Sequence, residues 1–192
     1  FFGGCLLSGM SAAAGAGARC LSQARGMTRL PLDSAALPKV EPPRTHVLHP
    51  GDVVCADRSD RLETLLGSCV AVLLTDPRRT VGAMCHIVHA AGGAAGDTAF
   101  AAAAFDRLRA LLQARAIVMR QCQAWVYGGG NMFPERYDGG HVGDDNARWV
   151  MHALDRDGLQ VLGQDLGGRC YRRIAWTVGP GLPQVSAVSL TN

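Results

Sequence analysis

The sequence lacks the features that would place it in a membrane or on nucleic acid. Apolar runs such as Val70–Leu74 are far shorter than the ~20 residues that a membrane-spanning helix needs. Only 6% of the residues are aromatic, the formal net charge is +3, and the Lys and Arg residues are scattered rather than clustered. We therefore expect neither membrane insertion nor nucleic-acid binding.

The sequence also lacks a cysteine pattern typical of disulfide frameworks or zinc sites. Its 7 cysteines are irregularly spaced and include no CxxC pair, which favours a reducing compartment. Cys85, His86 and His89 are close together, but alternation along a strand points Cys85 and His89 to one side and His86 to the other. We therefore predict no metal site and interpret Cys85 as a buried structural residue.

The first part of the chain differs in composition from the rest. Residues 1–43 are rich in Ala, Gly and Ser, end in a Pro-rich stretch, and contain no acidic residue before Asp33. Such a composition is typical of a disordered tail followed by a linker, or of a translated upstream segment whose true start is Met10 or Met27. We place the folded domain at residues 44–192.

The remaining pattern mixes several strands with two helices. Apolar spacing predicts one helix over 99–115 and a second from Asp144 or Asp145 to Leu154, with Val150 on its apolar side. The other apolar segments are short and bounded by Gly or Pro, as strands are. Because strands outnumber helices and no repeat is visible, we expect an α/β sandwich of antiparallel hairpins flanked by helices, not a doubly wound sheet.

One predicted hairpin brings a cysteine and a histidine together. A two-residue turn at Pro77-Arg78 would pair Asp76 with Arg79 and set Cys69 directly opposite His86. Directly opposite residues share a face, with Cβ atoms ~4.5–5.5 Å apart, which suits a thiolate–imidazolium pair. A four-residue loop would move His86 to a diagonal position on the same face. The hairpin therefore predicts a nucleophile and its base.

Two hydroxyl residues near the hairpin, Ser68 and Thr64, are further candidates for a catalytic role. Ser68 lacks a GxSxG nucleophile elbow, and alternation turns it away from the face of Cys69. Thr64 lies just before the bend at Gly67, where it either orients the imidazole of His86 as a third member of a triad or satisfies backbone groups locally.

Several motifs, in order over about residues 45–190, closely resemble the CheD family of chemoreceptor glutamine deamidases. They are Leu65–Val72, the Asp76-Pro77-Arg78 turn, Gly82–Met84 before His86, Gly129–Phe133, the helix start Gly143–Asn146, and Asp165–Gly168 with Arg172-Arg173.

The resemblance implies both a fold and an activity. The fold is an α/β sandwich like that of cytotoxic necrotizing factor-type deamidase toxins. The activity is hydrolysis of glutamine side chains of methyl-accepting chemotaxis proteins to glutamate, with release of ammonia and without a cofactor. The family's catalytic Cys and His fall at Cys69 and His86, and a threonine upstream of the cysteine completes the triad. That threonine aligns with either Thr64 or Glu63, so both remain candidates for the third role.

The resemblance also implies partners and a location. The enzyme would be cytoplasmic, its substrates would be the methyl-accepting chemotaxis proteins, and the phosphatase CheC would be a binding partner. The alternative function is a non-catalytic adaptor that has the same fold and docks to CheC or to receptors. The presence of both Cys69 and His86 argues against the adaptor.

Overall fold

The computed structural model of the chain describes residues 41–136 and 140–190, so the predicted tail lies outside the described residues except for 41–43. Helices and strands follow in the order β1 (Thr45–Leu48), β2 (Val53–Asp57), β3 (Arg61–Leu66), β4 (Val70–Thr75), β5 (Val81–Ile87), α1 (Ala101–Gln113), a 3₁₀ turn (Met119–Gln121), β6 (Gln123–Gly128), α2 (Val142–Arg156), β7 (Gln160–Leu166), β8 (Cys170–Thr177) and β9 (Gln184–Ser189).

The strands form two sheets. The first sheet has the order β1-β3-β8-β9 and the second has the order β2-β5-β4-β6-β7. Most neighbouring strands are antiparallel, but β1 pairs with β3 and β6 pairs with β7 in parallel. Neither parallel pair is a local hairpin, because β2 lies between β1 and β3 along the chain and α2 lies between β6 and β7.

The central strand of the second sheet, β4, is buried on both faces. Val70, Val72 and Leu74 pack in one apolar cluster with residues of the two helices. Ala71 and Leu73 pack in a second cluster, which contains residues of the first sheet. The continuous apolar run of β4 is explained by this position, because each face of the strand meets a different layer. The layers follow in the order first sheet, second sheet, helices.

This architecture confirms the mixed α/β fold with hairpins and flanking helices that the sequence predicts. The two predicted helices are present with shifted bounds. No helix among residues 41–136 and 140–190 has the length and apolar character to cross a membrane.

The loop of the β4–β5 hairpin is longer than the predicted two-residue turn. Thr75 pairs with Gly82, and Ala71 rather than Cys69 lies directly opposite His86. The predicted direct pairing of Cys69 with His86 is therefore wrong, and the diagonal arrangement that a four-residue loop gives is present. The change by two residues keeps both side chains on one face.

The side chain of Asp76 determines the length of this loop. Its carboxylate accepts hydrogen bonds from the N–H groups of Arg78, Thr80 and Val81 at 3.1, 2.7 and 2.8 Å, and one from the Thr80 hydroxyl. Burial raises the pKa of Asp76, but the hydrogen bonds from Val81, Thr80 and Arg78 outweigh burial and hold the pKa below its ordinary value. A carboxylate that accepts hydrogen bonds from these N–H and O–H groups stabilises the longer loop.

We expect Asp76→Ala to lower the free energy of unfolding at pH 7 by about 1–3 kcal/mol, because partly buried backbone N–H groups lose a charged acceptor. The folded pKa of Asp76 is depressed, so its stabilisation is present above the unfolded pKa and is lost as the pH falls through the folded value. Denaturant unfolding of both proteins at pH 7 and at acid pH measures the effect. The matched change Asp106→Ala, at an exposed carboxylate on α1, should cost less than about 0.5 kcal/mol. A deficit in Asp76→Ala that stayed the same at acid pH would contradict this account.

Candidate active site

Strand β3 presents Thr64, and not Glu63, to the space between the two sheets. Along this strand Leu62, Thr64 and Leu66 are buried. Glu63 lies on the opposite face, where it forms an ion pair with Arg61. Since successive side chains of a strand point to opposite faces, only one of the two candidates for the third role can face the hairpin.

Thr64 contacts His86 across the two sheets. Its Oγ1 atom is 2.9 Å from His86 Nδ1 and 2.9 Å from the carbonyl oxygen of Leu48. A carbonyl can only accept, so the hydroxyl donates its single hydrogen to Leu48 and accepts a hydrogen bond from Nδ1–H of the imidazole. This tautomer leaves a lone pair on His86 Nε2. That atom is buried and has no hydrogen-bond partner among the described residues, so it is free to accept a proton.

Cys69 lies immediately before β4, on the face of the sheet that carries His86. Ala71, two residues further along, lies directly opposite His86. Side chains two residues apart along a strand point to the same face, and Cys69 packs against the cluster between the sheets. Diagonal neighbours of an antiparallel pair have Cα atoms ~7–8 Å apart and Cβ atoms somewhat closer. The thiol and the imidazole are therefore neighbours on one face.

Burial favours the neutral form of both groups. Burial raises the pKa of the Cys69 thiol. Burial also lowers the pKa of His86, although the Leu48 carbonyl and the Asp52 carboxylate oppose it. At pH 7 the free protein accordingly holds a thiol beside a neutral imidazole, not the thiolate–imidazolium pair expected from the sequence. A thiol in this state would have to lose its proton before or during an attack on a substrate, and the unpartnered Nε2 of His86 is a neighbouring acceptor.

The glycine tract Gly128–Gly130, at the end of β6, is hydrogen-bonded to the bend that carries Cys69. The N–H of Gly129 donates to the Cys69 carbonyl and the N–H of Gly130 donates to the Gly67 carbonyl, both at 2.8 Å. Gly128 has a φ of +116°, and a Cβ atom there would lie 2.2 Å from the Cys69 oxygen. Only glycine permits this close approach. The tract therefore brings its backbone close to the hairpin.

The same bend presents free backbone donors beside the cysteine. No oxygen atom within the described residues accepts a hydrogen bond from the N–H groups of Ser68 and Cys69. Free N–H groups next to a nucleophile can stabilise the negative charge that develops on a carbonyl oxygen during attack.

Cys85, His86 and His89, which are close together in the sequence, point in different directions. Cys85 is fully buried in the cluster with the helices, where burial raises its pKa to about 12. His86 points the opposite way, towards Thr64. His89 packs on the ring of Phe100, with ring centroids 5.1 Å apart. Within the described part of the chain, no group of three or more His, Cys, Asp or Glu residues is placed to hold a metal ion.

A second polar contact joins the two sheets on the far side of β4 from His86. Nη2 of the buried Arg172, on β8, donates to Asp165 Oδ1, on β7, at 2.7 Å. This hydrogen bond holds the pKa of Asp165 below its ordinary value. In the second sheet His86, Ala71, Tyr127 and Asp165 form one row across neighbouring strands. The Thr64–His86 contact and the Arg172–Asp165 contact therefore lie at opposite ends of this row. Cys69 precedes Ala71, a member of the row, by two residues.

One buried polar residue of the site, Asn146, is not evident as a functional residue from the sequence. Asn146 on α2 is fully buried, and its side-chain NH₂ group contacts the carbonyl oxygens of Ser68 and Val88. The available signal was its position four residues before Val150, on the apolar side of the predicted helix. A polar residue at such a position needs buried hydrogen-bond partners, and here they belong to the site.

The chain is similar in sequence to known proteins of one family. Residues 88–185 match the family model described as CheD chemotactic sensory transduction. An Albidiferax ferrireducens protein named Probable chemoreceptor glutamine deamidase CheD 2 is 33% identical over 141 residues, which cover 70% of this chain and 82% of that protein. The Pseudomonas syringae pv. tomato protein named Probable chemoreceptor glutamine deamidase CheD is 34% identical over 146 residues, which cover 70% of this chain and 84% of that protein.

Among solved structures, a Neisseria meningitidis protein of the DUF152 family aligns with a TM-score of 0.39 and 15% identity, covering 67% of this chain and 65% of that chain. An alignment at this score supports no conclusion about either fold or function.

Proposed function

The chain belongs to the CheD family, and from this premise we propose that it is a chemoreceptor glutamine deamidase with Cys69 as nucleophile, His86 as base and acid, and Thr64 as the residue that orients His86. The observation that carries the assignment of roles is the hydrogen bond between Thr64 and His86 Nδ1, which leaves Nε2 free on the face shared with Cys69.

The first half of the reaction forms a thioester. His86 Nε2 takes the proton of the Cys69 thiol as the sulfur attacks the carboxamide carbon of a glutamine side chain. The oxygen of the tetrahedral intermediate accepts hydrogen bonds from the N–H groups of the bend, including that of Ser68. His86 then returns its proton to the departing nitrogen, the carbon–nitrogen bond breaks, and ammonia leaves.

The second half of the reaction regenerates the thiol. His86 takes a proton from a water molecule as the water oxygen attacks the thioester carbon, and the carbon–sulfur bond then breaks. The sulfur recovers the proton from His86, and the product is a glutamate side chain. Every proton transfer uses Nε2 of His86, so both halves of the reaction depend on the orientation of the imidazole ring.

A cavity of about 220 Å³, lined in part by Ser68, the residue before the cysteine, is the place where we expect substrate residues next to the glutamine to lie. It is lined by Ser68, by the chain after β5 at Val88 and His89, and by the chain between β6 and α2. Phe133 and Val142 are the exposed apolar residues of its wall. An apolar wall beside a nucleophile suits a protein substrate that brings apolar side chains with its glutamine.

We expect Thr64→Val to lower kcat for deamidation by about 10- to 100-fold, the effect typical of losing a partner that orients a reactive imidazole. Valine has a similar shape but leaves Nδ1–H of His86 unpaired, so the ring loses its fixed tautomer. Thr64→Ser, which keeps the hydroxyl, should restore most of the activity. Initial rates of ammonia release at saturating substrate measure the effect.

The adjacent Glu63 provides the matched control for this prediction. Because its side chain pairs with Arg61 on the opposite face, Glu63→Gln should leave kcat unchanged. The reverse result, normal activity in Thr64→Val and loss in Glu63→Gln, would assign the third role to the other residue.

We expect the acid limb of the pH profile of kcat/KM to lie below about pH 6.5, the ordinary pKa of histidine. Burial lowers the pKa of His86, and only the neutral imidazole accepts the thiol proton, so the rate rises with pH through that depressed value and then levels. The raised pKa of Cys69 places the next ionisation above the ordinary value for a thiol. Initial rates across the pH range test this, and a rate that fell as the pH rose through 6.5 would contradict the neutral pair.

The function itself is tested with a recombinant cytoplasmic fragment of a chemoreceptor. The protein should convert specific glutamines of the fragment to glutamate, detected by peptide mass spectrometry, with an equal amount of ammonia released. A fragment that stays unmodified while it binds the protein would favour the non-catalytic adaptor instead.

The proposal extends to location, partner and fold relatives. A cytoplasmic enzyme would meet the signalling parts of its receptors, and CheC is the partner protein that membership of the family suggests. We also propose that the two-sheet arrangement is related to that of cytotoxic necrotizing factor-type deamidases. Co-purification with CheC from the same organism tests the partnership.

A further inference from the structure

Asn146 bridges the two chain segments that carry Cys69 and His86. Its Nδ2 atom donates to the carbonyl oxygen of Ser68 at 3.2 Å and to that of Val88 at 2.8 Å. Ser68 immediately precedes the cysteine, and Val88 follows the histidine by two residues. A side-chain NH₂ group has two hydrogens, and here each one is committed to a different segment.

The orientation of this amide is fixed by its surroundings. Turning the amide over would bring its oxygen against two carbonyl oxygens, so only the orientation with nitrogen towards them is favourable. In this orientation Oδ1 is buried and has no hydrogen-bond partner within the described residues. A buried acceptor without a partner is destabilising, so an Asn here is poorly explained by stability alone.

The helix that carries Asn146 is well anchored. At its N-terminus the His141 side chain accepts a hydrogen bond from Gly143 N, and Asp144 reaches back to the His141 backbone. Further along, Val150 and Leu154 are buried in the apolar cluster of the second sheet. The bridge therefore extends from a well-anchored helix to two segments that continue the paired strands β4 and β5.

We propose that Asn146 is a positioning residue. Its amide group hydrogen-bonds both the bend before β4 and the residues that follow β5, and in this way it sets the distance between Cys69 and His86. It touches no reacting atom. The inference rests on the proposed function, because its effect is expressed in the rate of deamidation. A displacement of about 1 Å between reacting groups can lower a rate by about 100-fold, so a modest loosening of this bridge has a large effect on kcat.

The test compares Asn146→Asp and Asn146→Ala with a matched control. Both variants remove the two donors, the first with nearly unchanged shape and the second without introducing a charge in case a buried carboxylate prevents folding. We expect kcat to fall about 10- to 100-fold and KM to stay within about twofold. The control is Thr75→Val, which removes a buried hydrogen bond, 2.9 Å to Val81 O, at the opposite end of the same hairpin. It should lower the melting temperature without changing kcat.

Alkylation of Cys69 by iodoacetamide, followed by mass spectrometry, separates positioning from a general structural role. In Asn146→Asp the pH dependence of the alkylation rate should shift towards that of His86→Ala, whereas in Thr75→Val it should match the wild type. A kcat within about threefold of the wild type, or a loss that Thr75→Val reproduces at equal stability, would overturn the positioning role. Absence of deamidation by the wild type itself would instead reject the proposed function.

Discussion

Cys69→Ala is expected to abolish glutamine deamidation, with a loss of at least about 1,000-fold in kcat, since removing the nucleophile removes the thioester route altogether. The variant should fold, because Cys69 is only half-buried at the edge of the cluster between the sheets. Deamidation of a receptor fragment, followed by peptide mass spectrometry and ammonia release, measures the loss. In the wild type, rapid acid quenching should trap a covalent adduct on the peptide that contains Cys69, and this adduct should be absent from the variant.

Cys55 offers a matched control for this prediction. It is another half-buried cysteine, on β2, and its thiol pKa is likewise raised by burial, but it packs in the cluster of the helix layer. Cys55→Ala should therefore keep the wild-type rate. Undiminished deamidation by Cys69→Ala would remove the central assignment.

His86→Ala is expected to lower kcat by about 10²–10⁴-fold, the range typical of losing a general acid–base group. Burial raises the pKa of the Cys69 thiol, so without the imidazole little thiolate exists near neutral pH. The residual rate should rise steeply with pH, since deprotonation of the thiol then depends on the solvent. The wild-type rate should instead level above the depressed pKa of His86.

The control for this change is His152→Ala, because His152 is exposed on α2. Its rate and pH profile should match those of the wild type. A His86→Ala profile that kept the wild-type acid limb would show that another group accepts the thiol proton.

The hairpin shows what local sequence information predicts. Apolar runs located β4 and β5, and period-two alternation placed Cys69 and His86 on one face. The observed pairing differs from the predicted pairing by two residues, because the carboxylate of Asp76 accepts hydrogen bonds from N–H groups across the loop. That preference depends on the three-dimensional course of the loop, which the Asp-Pro signal at its start does not specify.

The third role could not be resolved from sequence for a different reason. Thr64 and Glu63 are adjacent, so they face opposite sides of β3, and spacing alone does not say which side meets the second sheet. The answer depends on pairing with β8, which is distant along the chain. Asn146 was missed on similar grounds, since its two acceptors lie 78 and 58 residues away.

The hydrogen bond between Thr64 and His86 also joins a local hairpin to a strand of the other sheet. The hairpin that brings Cys69 and His86 together is local, so it can form early in folding. Thr64 belongs to the other sheet, where it pairs with Ile174, and that pairing requires loop closure over most of the domain. A partly folded chain would therefore carry the cysteine and the histidine without a fixed imidazole tautomer. We therefore expect activity to depend on strand pairing that is distant along the chain as well as on the local hairpin.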